Sequence, residues 1–380
     1  MDINELRLEI DSIDKQLTEL FEKRMNTAAQ IAAFKKENGV PVFDRERERS
    51  VVNKVTEMTS PELQIYTRTL YQTIFDLSRS YQKKLITPSS ELAKMLDEIT
   101  ASSPLQIPER ATVACQGVEG AYSQFACDKL FTYPSIMYFA GFEDVFKAVD
   151  SGLCRYGILP VENSTAGSVN TVYDLMKKYK FYITHSTKLC IGHSLLASAG
   201  TQLGDIKEIF SHEQAIAQST SFLKSLGDVK LTVCENTALA AQRVALSDRD
   251  DVAALSSRMC AELYGLQILH SGVQDEGNNH TRYICISKHT EIYPGADRTS
   301  VMMTLPHKPG ALYKVLARLY ALGINLLKLE SRPIPERDFE FMFYLDLETS
   351  VYSPEFAQLM SEIEGICSEF QYLGSYSEVL

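Results

Sequence analysis

The hydrophobic pattern of this chain changes period twice, and each change marks a different kind of fold. Up to Gln82, Ile3, Leu6, Ile10, Ile13, Leu17, Leu20 and Phe21 recur at helical spacing and no strand pattern interrupts them. Gly39-Val40-Pro41 ends the first helix, a second starts near Asp44, and a third runs from Pro61 past Tyr81. This predicts an all-α helical bundle. So much apolar stripe on three helices predicts a dimer.

Beyond the first seam the period shortens. Thr112 to Cys115, Tyr156 to Pro160, Glu208 to Ser211, Leu231 to Cys234, Val252 to Leu255 and Tyr283 to Ser287 read as strands. Helical patterns separate them: Ala121 to Phe131, Phe142 to Ser151, Val169 to Lys178, Gln214 to Leu226, Ala238 to Ala245 and Met259 to Tyr264. The alternation predicts an α/β fold with mostly parallel sheets, long enough for two lobes and a cleft. The last stretch reads strand Val301 to Leu305, helix Gly310 to Leu322, strand Ile324 to Glu330, strand Phe339 to Leu347, helix Pro354 to Cys367, strand Gln371 to Tyr376. That βαββαβ order is the ferredoxin-like plan.

Two seams of linker composition divide these parts. One carries Thr87-Pro88-Ser89-Ser90 and Ser102-Ser103-Pro104 around a short helical pattern from Glu91 to Ile99; the other contains Tyr293-Pro294-Gly295. The expected domains are 1–85 (helical), 110–288 (α/β) and 299–380 (βαββαβ), with linkers at 86–109 and 289–298.

Composition excludes several function classes. The net charge of −11 argues against nucleic acid as the partner. No apolar run reaches the roughly 18 residues that span a bilayer. The start, Met1-Asp2-Ile3-Asn4-Glu5, has neither the basic end nor the apolar centre of a signal peptide. Eight cysteines are scattered singly without a C-x-x-C pair, which predicts no metal site and a reducing, cytoplasmic setting.

Chemistry-bearing side chains cluster by spacing. Arg24 and Lys35 lie eleven positions apart, about three turns, and so share a helix face. Asp44, Arg47 and Glu48 fall at i, i+3 and i+4, and Ser78 and Gln82 at i, i+4. Arg7 lies ~25 Å along a straight helix from Arg24, so it would reach the site of a second copy. This set, with Leu6-Arg7 and the Pro41-Val42 turn, resembles the all-helical chorismate mutases over the whole first segment. The resemblance implies that Arg7 of the other chain, Arg24 and Arg47 hold the two carboxylates of chorismate. It implies that Lys35 and Gln82 hydrogen-bond the ether oxygen, Glu48 takes the ring hydroxyl and Ser78 supports a carboxylate. Such a rearrangement is unimolecular and needs no cofactor, only a compact conformer and stabilisation of a polarised transition state.

In the middle segment, Asn278-Asn279-His280-Thr281-Arg282-Tyr283 sets a hydroxyl beside a guanidinium, expected at a loop end leading into a strand. An Arg can hold a carboxylate through two parallel hydrogen bonds, and the Thr beside it can give a proton to the held molecule. Together with Gly117-Val118-Glu119-Gly120-Ala121-Tyr122-Ser123, VENSTAGSV from Val161, SHEQAIAQ from Ser211, Glu235-Asn236-Thr237-Ala238 and AELYGLQIL from Ala261, this stretch resembles prephenate dehydratase. The resemblance implies a two-lobed, periplasmic-binding-protein-like fold. Thr281 would protonate the departing ring hydroxyl, and Arg282 would position a carboxylate. Glu162, Asn163, Thr165, Ser211, Gln218 and Glu235 would line the cleft. Val118, Glu213 and Tyr283 depart from the family pattern, which bears on pocket shape. Glu119 and Glu143 read as surface carboxylates or caps, and His212 and His280 are given no catalytic role.

Leu305-Pro306-His307-Lys308-Pro309-Gly310-Ala311-Leu312-Tyr313 and Glu330-Ser331-Arg332-Pro333 resemble the ACT domains attached to prephenate dehydratases. With Asn325 and Leu326 they imply a phenylalanine site between paired domains. The chain is therefore expected to take chorismate to prephenate and prephenate to phenylpyruvate under phenylalanine control, as a homodimer or dimer of dimers. Three rival readings stand: acceptance of arogenate by the middle segment, a non-catalytic ligand sensor, and a helical bundle that serves only dimerisation.

Overall fold

A computed structural model describes residues 2–86, 91–102, 106–334, 337, 340–354 and 356–379. The chain forms two compact units, residues 1–94 with 360–362, and residues 95–359 with 363–380. Among the described residues no helix is long and apolar enough to cross a membrane.

The first unit is built on α1 (Ile3–Glu37), α2 (Arg45–Glu57) and α3 (Gln64–Ile86). Asp2 and Glu5 form a capping box that starts α1, and the chain turns at Gly39, whose φ of +65° favours glycine. Asp44 caps α2 by accepting from the Arg47 amide at 2.9 Å. Only Ala28 and Ala32 of α1 are buried, whereas Leu8, Ile10, Leu17 and Leu20 are all exposed. A soluble helix does not normally leave a stripe of this length in water.

The expected helix near Glu91 is present as α4 (Glu91–Ser102). The second unit then builds a lobe from β1 (Arg110–Gln116), α5 (Tyr122–Leu130), β2 (Tyr133–Phe139), α6 (Phe142–Asp150), β3 (Tyr156–Asn163), β4 (Gly167–Ser168), α7 (Asn170–Tyr179) and β5 (Tyr182–Cys190). The chain crosses into a second lobe of β6 (Ser194–Ala197), β7 (Glu208–Ser211), α8 (Glu213–Ala217), α9 (Thr220–Ser225), β8 (Lys230–Val233), α10 (Thr237–Ala245), β9 (Val252–Ser256), α11 (Arg258–Tyr264) and β10 (Gln267–Ser271). It returns through β11 (His280–Ser287), which inserts antiparallel between β3 and β5.

The sheets are mixed, which corrects the mostly parallel expectation. β1 pairs in parallel with β2 and β3, and β7 with β8 and β9, but β6 and β10 pair antiparallel where the chain enters and leaves the second lobe. The helix expected from Gln214 to Leu226 breaks into α8 and α9, and Gln218 sits in the break.

The C-terminal module comprises β12 (Arg298–Thr304), α12 (Ala311–Ala321), β13 (Asn325–Pro333), β14 (Phe341–Glu348), α13 (Phe356–Glu364) and β15 (Glu369–Val379). Its strands pair antiparallel in the order β13-β14-β12-β15. The end of β15 then pairs in parallel with β5, so module and first lobe share one sheet. Gly374 lies at this crossing: a Cβ there would sit 2.2 Å from the Ile183 carbonyl oxygen. One core also spans the join, with Phe146 and Tyr173 of the lobe and Tyr344 and Tyr376 of the module in the same cluster.

The second expected linker is not a loose tether. Ile292 and Tyr293 are buried, and Glu291 accepts hydrogen bonds from Tyr156 at 2.6 Å, Tyr293 at 2.5 Å and Arg155 at 3.1 Å. Turn-forming composition marks the bends of this segment and is silent on its docking.

Candidate active sites

In the helical unit, Arg24 on α1 is half-buried. Its guanidinium carbon lies 5.2 Å from the centroid of the Phe75 ring on α3. Burial lowers its pKa, and the nearby Tyr71 and Glu48 work against that shift. Arg24 Nη1 is buried without a hydrogen-bond partner. A buried, unpaired donor of a charged group is costly, and a bound anion would remove the cost. On α3, the Gln82 amide nitrogen donates to the Ser78 hydroxyl at 3.2 Å, and Gln82 Oε1 is left unpartnered. Exchanging O and N by a flip of the amide keeps the Ser78 bond, with the hydroxyl now donating, and frees two N–H groups.

Glu48 on α2 pairs with Arg79, which also pairs with Asp76 and lies 5.2 Å over the Phe43 ring. Arg79 escaped the sequence reading; the Asp76–Arg79 spacing of i, i+3 was its only signal. Lys35 donates to the Val42 carbonyl at 2.7 Å and so also fastens the turn after α1. Arg47 and Arg7 are exposed, and among the described residues neither side chain joins the Arg24 group.

In the second unit, the junction of the lobes holds a dense polar cluster. Asn163 ends β3; its Nδ2 donates to Asn279 Oδ1 at 2.7 Å and to Thr281 Oγ1 at 2.9 Å. Asn163 Oδ1 accepts from the Thr165 amide at 3.1 Å, the Thr165 hydroxyl at 2.7 Å and the Ala166 amide at 2.8 Å. From the other lobe, Gln218 Nε2 donates to Thr165 Oγ1 at 2.8 Å, while Gln218 Oε1 accepts from Asn279 at 2.9 Å and lies 3.3 Å from His193 Nε2. Burial lowers the His193 pKa, against the pull of Gln218, which favours a neutral ring. Thr281 is 8% exposed and Asn279 1%.

The Thr281 hydroxyl accepts the Asn163 hydrogen bond, so its own proton is left to donate elsewhere. Were that proton given up, the charge on Oγ1 would be stabilised by the same amide donor.

Arg282 does not join this cluster. It is inside β11, not at a loop end, and successive side chains of a strand point to opposite faces. Its Nη2 donates to Asp346 Oδ2 of β14 at 2.5 Å, and its Nε lies 3.6 Å from Glu162 Oε2. Burial alone would lower its pKa, but the Asp346 carboxylate and the neighbouring Tyr376 and Tyr344 together outweigh that and raise it. Glu162 obeys the same alternation: it turns from the cluster that Asn163 enters and pairs with Lys328 at 2.9 Å. Ser211 donates to the Leu255 carbonyl at 2.8 Å and is fully buried, so it supports β7 and β9 rather than the cluster. Glu235 is exposed; its neighbour Asn236 caps α10 by accepting from the Leu239 amide at 2.8 Å. Asn279 and His193 were missed as site residues. Asn279 had a signal in its place directly before a strand, and His193 had none.

In the module, Ala311 and Leu312 begin α12 after Gly310, whose φ is +77°, and line a cavity of about 160 Å³ with His307, Phe341 and Phe343. The expected ESRP pocket divides. Glu330 accepts from Ser168 at 2.5 Å and Arg332 pairs with Asp174 at 2.8 Å, so both face the first lobe. Ser331 and Pro333 alternate to the other face of β13, while Asn325 donates to Glu348 at 2.9 Å and Leu326 is its chain neighbour.

Two family models match the chain: chorismate mutase type II over residues 6–83 and prephenate dehydratase over residues 113–291. A bifunctional chorismate mutase/prephenate dehydratase of Aquifex aeolicus (strain VF5) is 31% identical over 382 residues, covering 100% of this chain and 99% of that protein. Arogenate dehydratase/prephenate dehydratase 2, chloroplastic, of Arabidopsis thaliana is 34% identical over 306 residues, 77% of this chain and 80% of its own length. A solved prephenate dehydratase in complex with L-Phe from Arthrobacter aurescens superposes with a TM-score of 0.64 at 25% identity, covering 70% of this chain and 89% of that one. The matches fall on the helical bundle and on the two-lobed α/β part, which makes this an enzyme with an isomerase domain and a lyase domain in one polypeptide. The chain belongs to the bifunctional chorismate mutase/prephenate dehydratase family.

Proposed function

We propose that Thr281 is the general acid of the dehydratase step and that Asn163 holds it in the donating orientation. The Thr281 proton passes to the ring hydroxyl of prephenate, which leaves as water. The ring carboxylate leaves as carbon dioxide, and the bonding pair it gives up completes the aromatic ring of phenylpyruvate. The observation that carries this reading is the 2.9 Å hydrogen bond in which Asn163 donates and Thr281 accepts. Gln218, Thr165, Asn279 and His193 complete the pocket across the two lobes. The test is Thr281→Val beside Thr281→Ser, assayed on prephenate. Val should slow the reaction about 100-fold or more, as for loss of a general acid, and Ser should keep most of it. Equal rates in all three proteins would overturn the assignment.

In the helical domain the same reading gives Arg24, Arg47 and a second copy's Arg7 to the carboxylates of chorismate. Lys35 and the flipped amide of Gln82 serve the ether oxygen, and Glu48, steadied by Arg79, takes the ring hydroxyl. Ser78 orients the Gln82 amide. The orphaned Arg24 Nη1 supports an anion there, and the exposed apolar stripe of α1 supports a homodimer. The two steps together serve phenylalanine biosynthesis. The chloroplastic relative supports a second substrate, arogenate, which side-by-side kinetics decides.

The C-terminal module is read as an ACT domain that binds phenylalanine and restrains the dehydratase. Its βαββαβ strand order and the cavity beside the start of α12 support this, as does the L-Phe bound in the related structure.

A further inference from the structure

Across the seam between the first lobe and the module, four charged side chains are paired crosswise. Arg282 and Glu162 belong to the lobe and are register partners on β11 and β3. Asp346 and Lys328 belong to the module, on β14 and β13. The obvious pairing, Arg282 with Glu162, is only a long ion pair: their atoms stand 3.6 Å apart and Arg282 Nε makes no hydrogen bond. Instead, Asp346 takes the guanidinium at 2.5 Å and Lys328 takes the Glu162 carboxylate at 2.9 Å.

Each module residue is itself braced. Asp346 is fully buried, and its Oδ1 accepts the Ser300 hydroxyl at 2.5 Å. Ser300 Oγ in turn lies 2.7 Å from the Tyr376 hydroxyl and accepts from Tyr344 at 3.1 Å. Lys328 also donates to Ser168 at 2.9 Å and lies 5.7 Å over the Tyr173 ring. Ser168 is the register partner of Glu162 and donates to Glu330 of β13. The residues one place along each lobe strand are Asn163 and Thr281, the donor and acceptor of the acid hydrogen bond and register partners themselves.

We infer that Asp346 and Lys328 are positioning residues for the dehydratase step. By taking the closer contacts to Arg282 and Glu162, they fix the strand ends from which Thr281 and Asn163 enter the cleft. Without Lys328, the Glu162 carboxylate turns from the module to Arg282 Nε, tightening the 3.6 Å ion pair into a hydrogen bond, and the strand ends that carry Asn163 and Thr281 shift. A misplacement of about 1 Å so near the chemistry costs up to ~100-fold in rate. The inference rests on the proposed role of Thr281.

The test uses the full chain. Lys328→Met should lower kcat on prephenate about 10-fold or more with KM little changed, while chorismate turnover in the helical domain stays native. Lys328→Arg, which keeps the charge, should retain activity. Adding Glu162→Gln to Lys328→Met removes the carboxylate that would collapse onto Arg282 and should restore most of the lost kcat. Loss of a merely structural contact would not be repaired by a second loss. A folded Lys328→Met protein with native kcat overturns the inference, as does a double variant no faster than the single one. Should Lys328→Met fail to fold, Lys328→Gln, which keeps a donor for Ser168, replaces it. Thr281→Val separates the two claims: native activity there removes the acid assignment, whereas loss there without rescue in the double variant removes only the role of Lys328 and Asp346.

Discussion

Asn163→Asp isolates the one hydrogen bond on which the dehydratase reading depends, because it changes a donor into an acceptor and leaves the shape alone. The three bonds that Asn163 Oδ1 accepts from Thr165 and Ala166 survive, since a carboxylate accepts them at least as well. Of those that Nδ2 donates, the bonds to Asn279 at 2.7 Å and Thr281 at 2.9 Å are reversed, and the longer one to the His280 carbonyl, at 3.4 Å, is lost. Asn279 can answer by flipping its amide, but only by giving up its 2.9 Å bond to Gln218. An unsatisfied buried polar group of this kind costs about 1–3 kcal/mol of stability. Thr281 can answer only by donating its proton to the new carboxylate, which withholds that proton from the substrate. The introduced charge also opposes the negative charge that develops on Oγ1. The expected result is a fall in dehydratase kcat of about 100-fold or more, or about 2.7 kcal/mol of barrier, with a smaller change in KM. The assay follows phenylpyruvate from added prephenate, with chorismate turnover as the internal control. Acid should partly restore the variant, because a protonated carboxyl donates to Thr281 again. Its rate relative to the native enzyme should therefore rise as pH falls through the carboxyl pKa. Native kcat at neutral pH, or a variant whose relative rate falls with acid, would refute the reasoning.

Other consequences are as direct. Arg24→Ala should abolish most chorismate turnover, about 100-fold or more, and leave prephenate dehydration intact; steady-state assays on the two substrates decide it. Mixing inactive Arg7→Ala and Arg24→Ala subunits should regenerate activity in heterodimers, and heterodimers that form yet stay inactive would exclude a site shared between copies. Burial holds the His185 pKa down at about 4 from an ordinary 6.5, so the unfolded chain binds the extra proton between those values. Stability of the α/β unit should then fall by about 3 kcal/mol as pH drops from 6.5 to 4, and His185→Gln should flatten that slope in denaturant titrations.

Much of the architecture was legible because the spacing of apolar residues follows the period of the element that carries them. The helical stripe from Ile3 to Phe21 and the βαββαβ order of the last segment needed no tertiary information. Motif residues such as Asn163, Thr165, Gln218 and Thr281 were also named from the chain alone, and the fold brings them together. The strand β5 was not legible: Thr184, His185, Ser186 and Thr187 are polar, yet all are buried because β11 and β15 flank the strand. The roles of Arg282, Glu162, Glu330 and Arg332 were not legible either. Local sequence determines that neighbours in a strand alternate in direction, so Thr281 and Arg282 had to part. It does not determine what covers each face. Only the tertiary structure decided that, by laying β13 and β14, which arrive late in the chain, against the side of the lobe opposite the cleft. A guanidinium buried there must be neutralised by the nearest carboxylate, and that carboxylate is Asp346.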